Sequence, residues 1–148
     1  MWYSSILLSH SILLNKLYKY GIHGSLLDWC RDYLTNSRRR VVVKGEVSDW
    51  LTVTSGMPQG SLLGSLFFII YINDLPGVIS GDSSIALYAN DSKLYRAINS
   101  PEDIASLQDD LDKISDWCKE SKMKVNVKKC KIMRITGKKS PLVSQSIE

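Results

Sequence analysis

Apolar positions recur along this chain in runs whose period changes several times, and each change marks an element. From Ser11 to Tyr20, Leu13, Leu14, Leu17 and Tyr18 fall at helical spacing and stop at Gly21, which can adopt the left-handed conformation that ends helices. Ser25 followed by Asp28 resembles a capping box, and Leu26, Leu27, Cys30, Tyr33 and Leu34 predict a second helix reaching Asn36. The period then shortens. Val41 to Val43 is β-branched, Gly45 offers a turn, and Val47, Asp49, Leu51 and Val53 alternate with Ser48, Trp50, Thr52 and Thr54, which predicts a hairpin. Ser55 to Ser61 holds Gly56, Pro58 and Gly60 and reads as a loop of fixed backbone shape. An apolar helix follows from Leu62 to Asp74, stopped by Pro76 and Gly77, with Phe67, Phe68 and Tyr71 as core.

Ile85 to Tyr95 predicts a second hairpin with Tyr88-Ala89-Asn90-Asp91 at its tip. Ser100-Pro101-Glu102-Asp103 then supplies an N-cap, a proline at the first helical position and acids in the first turn. Ile104, Leu107, Leu111, Ile114 and Trp117 recur at steps of three and four, so that helix is amphipathic and Trp117 lies in the core. Lys131 to Ile135 alternates and reads as a final strand, while residues 138–148 carry no pattern. The order α, α, β, β, α, β, β, α, β predicts an α+β fold, helices packed on an antiparallel sheet. The expected organisation is one domain over 1–137 and a loose tail over 138–148, with no internal repeat or linker.

Composition narrows the class. The 148 residues are 44% hydrophobic and 23% charged, a globular balance that can bury a core. Cys30, Cys118 and Cys130 form no CxxC pair and have no histidine at zinc spacing, so they read as reduced thiols of an intracellular protein. His10 and His23 lack partners at metal or triad spacing and read as structural. The longest apolar run, Leu62 to Ile72, falls short of the roughly 20 residues a membrane helix needs. Residues 1–14 lack a basic start and a small-residue cleavage site, so neither a secretory signal nor a membrane span is expected. The net charge of +4 is small but uneven: nine Lys and Arg lie between Lys119 and Lys139, opposed by Glu120 alone. That density fits phosphate contact through counterion release, and it equally fits a solvated basic tail.

Several separated motifs carry a resemblance. Gly56-Met57-Pro58-Gln59-Gly60-Ser61-Leu62-Leu63-Gly64 with Tyr71-Ile72-Asn73-Asp74-Leu75-Pro76 looks like the central block of reverse transcriptases from LINE-type non-LTR retrotransposons. Ser9-His10-Ser11-Ile12-Leu13-Leu14, Tyr20-Gly21-Ile22 and Trp29-Cys30-Arg31-Asp32-Tyr33-Leu34 resemble the helices before that block. The Tyr88-Ala89-Asn90-Asp91 turn, Trp117 and Asn126-Val127-Lys128-Lys129-Cys130-Lys131 match elements after it, so the resemblance covers roughly residues 9 to 135.

The resemblance implies part of a polymerase palm with finger-proximal helices, binding an RNA or DNA template-primer and adding dNTPs to a primer 3′ hydroxyl by two-metal catalysis. Its implied cofactor is Mg²⁺, held by an Asp on an upstream strand and by the first Asp of a Tyr-Ala-Asp-Asp turn, with the second Asp secondary. Here the first turn position is Asn90 and the second is Asp91, and no acidic residue precedes Asp28. An amide brings no charge to offset a triphosphate, so Asp91 is the remaining metal candidate and binding is expected to be weak or lost. The implied catalytic positions are Asn90, Asp91 and Lys129; the implied template and nucleotide contacts are Pro58, Gln59, Gly60 and Ser61. Lys129 reads either as a proton donor or phosphate contact or as a solvated lysine, and Lys128, Lys131 and Arg134 read as nucleic-acid backbone contacts.

Three expectations stand together: a retroelement polymerase piece, an inactive degenerate product of one, and a small α+β nucleic-acid-binding or protein-interaction module. The isolated chain is expected to be inactive, with missing polymerase segments or another protein as possible partners.

Overall fold

Left-handed backbone punctuates the helices. The computed structural model of the chain describes residues 8–53, 56, 61–89 and 91–137, with Arg39 as backbone alone. Helix α1 (His10–Lys19) ends where Gly21 takes φ +87, and the N–H groups of Gly21 and Ile22 reach back to the Tyr18 and Leu17 carbonyls at 3.0 and 3.1 Å. Those two bonds satisfy carbonyls that the helix end would otherwise orphan.

Helix α2 (Gly24–Thr35) departs from its expected start. The Ser25–Asp28 capping box does not form: Gly24 at φ +58 swings the chain into the first turn, His23 becomes the N-cap, and Asp28 pairs forward with Arg31 at 2.5 Å. Helix α3 (Leu62–Ile72) is capped by Ser61, whose hydroxyl accepts the Gly64 N–H at 3.0 Å. It stops two residues before the expected Asp74, and Pro76 sits inside a 3-10 turn, Leu75–Val78, whose Leu75 is fully buried.

Helix α4 (Pro101–Glu120) starts as expected, with Pro101 in its first turn and Asp103 Oδ2 accepting the Ser100 N–H at 3.0 Å. It ends like α1, except that Lys122 holds the left-handed position at φ +50. The Lys122 N–H reaches Lys119 O at 3.0 Å and the Met123 N–H reaches Cys118 O at 2.8 Å.

The core is helical. Leu13 and Leu17 of α1, Leu34 of α2, Phe67 and Tyr71 of α3, Leu75, and Ile114 and Trp117 of α4 form one buried cluster. α1 packs on α2 and α3, and α4 packs on the 3-10 turn. Lys16 lies at the junction, its side chain 12% exposed: Nζ donates to Tyr71 O and Asp74 Oδ1 at 2.6 Å each and sits 5.0 Å from the Tyr71 and Trp117 ring centres. The fully buried Asp110 fastens α4 to Ser80, whose N–H and hydroxyl donate to its Oδ1 at 3.0 and 3.1 Å.

The strands are short and do not join into the expected sheet. Among the described residues there is no continuous sheet, only three separate two-stranded antiparallel ladders. β1 (Arg38–Arg39) pairs with β4 (Leu51–Thr52), and β2 (Val42–Val43) pairs with β3 (Glu46–Val47) around a two-residue turn in which Lys44 and Gly45 take φ +51 and +90. Between the two ladders, residues 40 and 41 face 48, 49 and 50, so the return side carries one extra residue, a β-bulge. Ser48 repairs the gap: its N–H donates to Val41 O at 3.0 Å and its hydroxyl accepts the Val41 N–H at 2.9 Å.

β5 (Ser84–Tyr88) and β6 (Asp91–Tyr95) form the second hairpin. Its inner face pairs Ile85 with Leu94 and Leu87 with Ser92; its outer face pairs Tyr88 with Asp91. The expected strand over Lys131–Ile135 is absent: Ile132, Met133 and Ile135 are 68%, 80% and 87% exposed. Alternation makes a strand only where a neighbour accepts its ladder, and none lies beside this segment among the described residues. The expected tail over 138–148 lies outside the described residues. No described helix is long and apolar enough to cross a membrane.

Candidate functional site

The β5–β6 hairpin presents its turn because two residues, Ala89 and Asn90, close a ladder that ends at the Tyr88–Asp91 pair. A two-residue hairpin loop requires left-handed backbone, and Ala89 supplies it at φ +48, where a Cβ is unfavourable. Tyr88 is 83% exposed at the tip, while Asp91 is half-buried. Asp91 Oδ1 is enclosed and has no hydrogen-bond partner among the described residues. Beneath the turn, a cleft of about 310 Å³ opens between α3 and β5, lined by Ile69, Ile72, Asn73, Leu87, Tyr88 and Ala89.

The loop that leads into α3 is pinned at both described ends by remote helices. Gly56 O accepts from Nε2 of the buried His10 at 3.0 Å, and the Gly56 N–H reaches Leu8 O at 3.3 Å. At the other end Tyr33 of α2 shares a 3.0 Å hydrogen bond with the Ser61 hydroxyl. Tyr33 is itself stacked on Trp29, with ring centres 5.8 Å apart. Ser61 is thus engaged in local structure. Pro58, Gln59 and Gly60, and Asn90 at the turn, lie outside the described residues.

Lys128 and Lys129 close a 3-10 turn, Val127–Lys129, and both are exposed, as are Lys131 and Arg134 in the irregular chain that follows. Cys130 next to them donates its thiol to Asn126 O at 3.4 Å. The sequence left His10 without a partner, and the structure gives it one as a structural residue. The roles of Lys16 and Tyr33 were missed; a signal existed for Lys16, which falls on the Leu13–Leu17–Tyr20 stripe where an unpaired charge would be costly.

An unpartnered, enclosed carboxylate oxygen is what one hard-oxygen ligand to Mg²⁺ offers. A two-ion centre needs more. Among the described residues no group of three or more His, Cys, Asp or Glu is placed to hold a metal ion, so these residues do not by themselves fit such a centre.

Comparison with known proteins agrees with the order of the motifs. The family described as reverse transcriptase (RNA-dependent DNA polymerase) matches residues 7–146. The chain is 31% identical over 121 residues to the probable RNA-directed DNA polymerase from transposon BS of Drosophila melanogaster, covering 77% of this chain and 13% of that one. It is 29% identical over 107 residues to the RNA-directed DNA polymerase from mobile element jockey of the same species, covering 68% and 12%. Against the probable RNA-directed DNA polymerase from transposon X-element of that species it is 29% identical over 103 residues, covering 67% and 11%. The chain therefore spans 11–13% of the length of these relatives. No solved structure matches. The alternative, a small α+β nucleic-acid-binding or protein-interaction module derived from such a domain, is not favoured by these matches. The chain belongs to the reverse transcriptase (RNA-dependent DNA polymerase) family, as a domain of the kind carried by LINE-type non-LTR retrotransposons.

Proposed function

We propose that this chain is part of the palm of a retroelement RNA-directed DNA polymerase, keeping the scaffold of the domain and not the complete metal centre. The family reaction adds a dNTP to a primer 3′ hydroxyl on a template, and it depends on negative oxygens that hold divalent cations beside the triphosphate. The observation that carries the reading is the turn itself: Asn90 is neutral in the sequence, and Asp91 Oδ1 is an enclosed carboxylate oxygen without a partner among the described residues. Asp91 would supply one ligand to Mg²⁺, and a bound ion would polarise phosphate oxygens.

The other roles follow from position. Pro58, Gln59 and Gly60 contact template and incoming nucleotide, Ser61 holds the end of that loop through α3 and Tyr33, and Lys128, Lys131 and Arg134 contact the phosphate backbone. Lys129 is a phosphate contact in the same basic stretch. Residues 1–137 act as one unit with 138–148 as an appended tail, and the setting is intracellular, on an RNA or DNA template-primer.

Primer extension tests the reading. The purified chain and its Asn90→Asp variant, each with Mg²⁺, dNTPs and an annealed primer-template, should incorporate no nucleotide. Extension by the unaltered chain would overturn the claim of inactivity. Extension only by Asn90→Asp would show that the turn was the sole lesion.

A further inference from the structure

The ribbon from Arg38 to Thr52 stands outside the core, and its surface is of an unusual kind. Val41, Val42 and Val43 are 59–63% exposed, and Trp50 is 57% exposed. The segment carries Arg38, Arg39, Arg40 and Lys44 against Glu46 and Asp49. Five cations elsewhere are engaged at home: Lys16, Arg31, Arg96, Lys113 and Lys119 each form an ion pair. Among the described residues, Arg38, Arg40 and Lys44 form none, and neither do Glu46 and Asp49. Arg40 lies instead over the Trp50 ring, its guanidinium carbon 4.7 Å from the ring centre. The β1–β4 register sets this arrangement: Arg38 faces Thr52 and Arg39 faces Leu51, so the next pair brings Trp50 opposite Arg40.

We propose that this ribbon is a binding surface for single-stranded nucleic acid. An arginine over an indole keeps its N–H edge available for a phosphate, while the exposed ring offers an apolar plane to a base. Unpaired bases can reach such a plane, whereas those of a duplex are stacked on each other. Arg38 and Lys44 lie along the same ribbon and add phosphate contacts whose affinity falls with salt. The surface is separate from the β5–β6 turn and from the basic stretch at Lys128–Arg134, so it stands whether or not the chain polymerises.

Fluorescence anisotropy of a labelled twelve-nucleotide oligothymidylate, titrated with the full chain at low and moderate salt, tests the proposal. Trp50→Ala should weaken binding about tenfold, a size typical of losing one base stack, and Trp50→Tyr should restore most of it. Arg40→Gln should weaken binding and flatten its salt dependence. Because Trp50 is exposed, circular dichroism melting of Trp50→Ala should match the parent. Changing Lys128, Lys131 and Arg134 together to Gln should leave the Trp50 effect in place, which separates the two basic regions. Binding by Trp50→Ala within twofold of the parent would overturn the proposal. So would displacement of the oligonucleotide by a poly-glutamate peptide at equal charge concentration, which would mark the ribbon as a seat for acidic protein.

Discussion

Replacing Tyr71 by Phe removes one oxygen from the centre of the fold. Tyr71 is fully buried, and its hydroxyl donates to Ser121 O at 2.5 Å, joining α3 to the end of α4. Ser121 is itself buried, so its carbonyl loses a partner that water cannot easily replace. An orphaned buried polar group costs about 1–3 kcal/mol, so Tyr71→Phe should cost about 2 kcal/mol, or about 4–8 °C in the thermal midpoint of a domain this size. The matched control is Tyr20→Phe, where the lost bond, from Asn73 Nδ2 at 3.0 Å, involves a half-exposed hydroxyl. That change should cost less than about 0.5 kcal/mol. Urea denaturation followed by circular dichroism measures both, with an unchanged dependence on denaturant showing that only the native state was affected. Equal losses in the two variants would refute the assignment of a buried latch. A pH arm sharpens it. Burial, with Asp74 adding and the Ser9 N–H opposing, pushes the Tyr71 phenol above its ordinary pKa of 10.0. The folded chain keeps that proton after the unfolded chain has released it, so stability falls as pH rises past 10.0 toward the folded value. The variant lacks this loss, and the gap between the two proteins should narrow through that window.

Lys122→Gly should stabilise the chain by about 0.5–1 kcal/mol in the same denaturation assay, because the α4 terminus demands a left-handed residue and glycine meets it without a Cβ. Asp103 is held below its ordinary 3.8 by the Asn99 N–H, the Arg96 guanidinium and the Ser100 N–H, so its contribution is present above 3.8 and is lost as pH falls through the lower folded value. Acid titration of Asp103→Asn should therefore show a shallower loss of stability below that pH than the parent. Burial pushes the Cys118 thiol up to about 11 and raises Cys30 as well, so thiol labelling at neutral pH should modify the half-buried Cys130 first and reach the other two only with unfolding.

The elements most legible in the sequence were those whose information is local. α4 announces itself through Pro101, Asp103 and a stripe ending at Trp117, and both hairpins through residues that close their turns. What could not be read was set by distant partners. The Lys131–Ile135 alternation looks like a strand in sequence but finds no neighbour among the described residues, and the predicted sheet divides into separate ladders for a related reason. Within the site, Asn90 and Asp91 were visible because a motif of fixed order surrounds them. The clasp of His10 on Gly56 and of Tyr33 on Ser61 spans separations of 46 and 28 residues, where no local pattern signals a contact.

Lys16 touches α3 through the Tyr71 carbonyl and ring, α4 through the Trp117 ring, and the turn after α3 through Asp74. One cation that serves three neighbours makes their substitutions interdependent: after Trp117 is truncated, loss of Asp74 is felt by an ammonium already loosened from its cage. Sequence drift around this junction is then constrained as a set. A change at Asp74, Trp117 or position 16 has an effect that depends on which residues occupy the other two, so tolerance measured at one site in this chain does not transfer to a relative that differs at another.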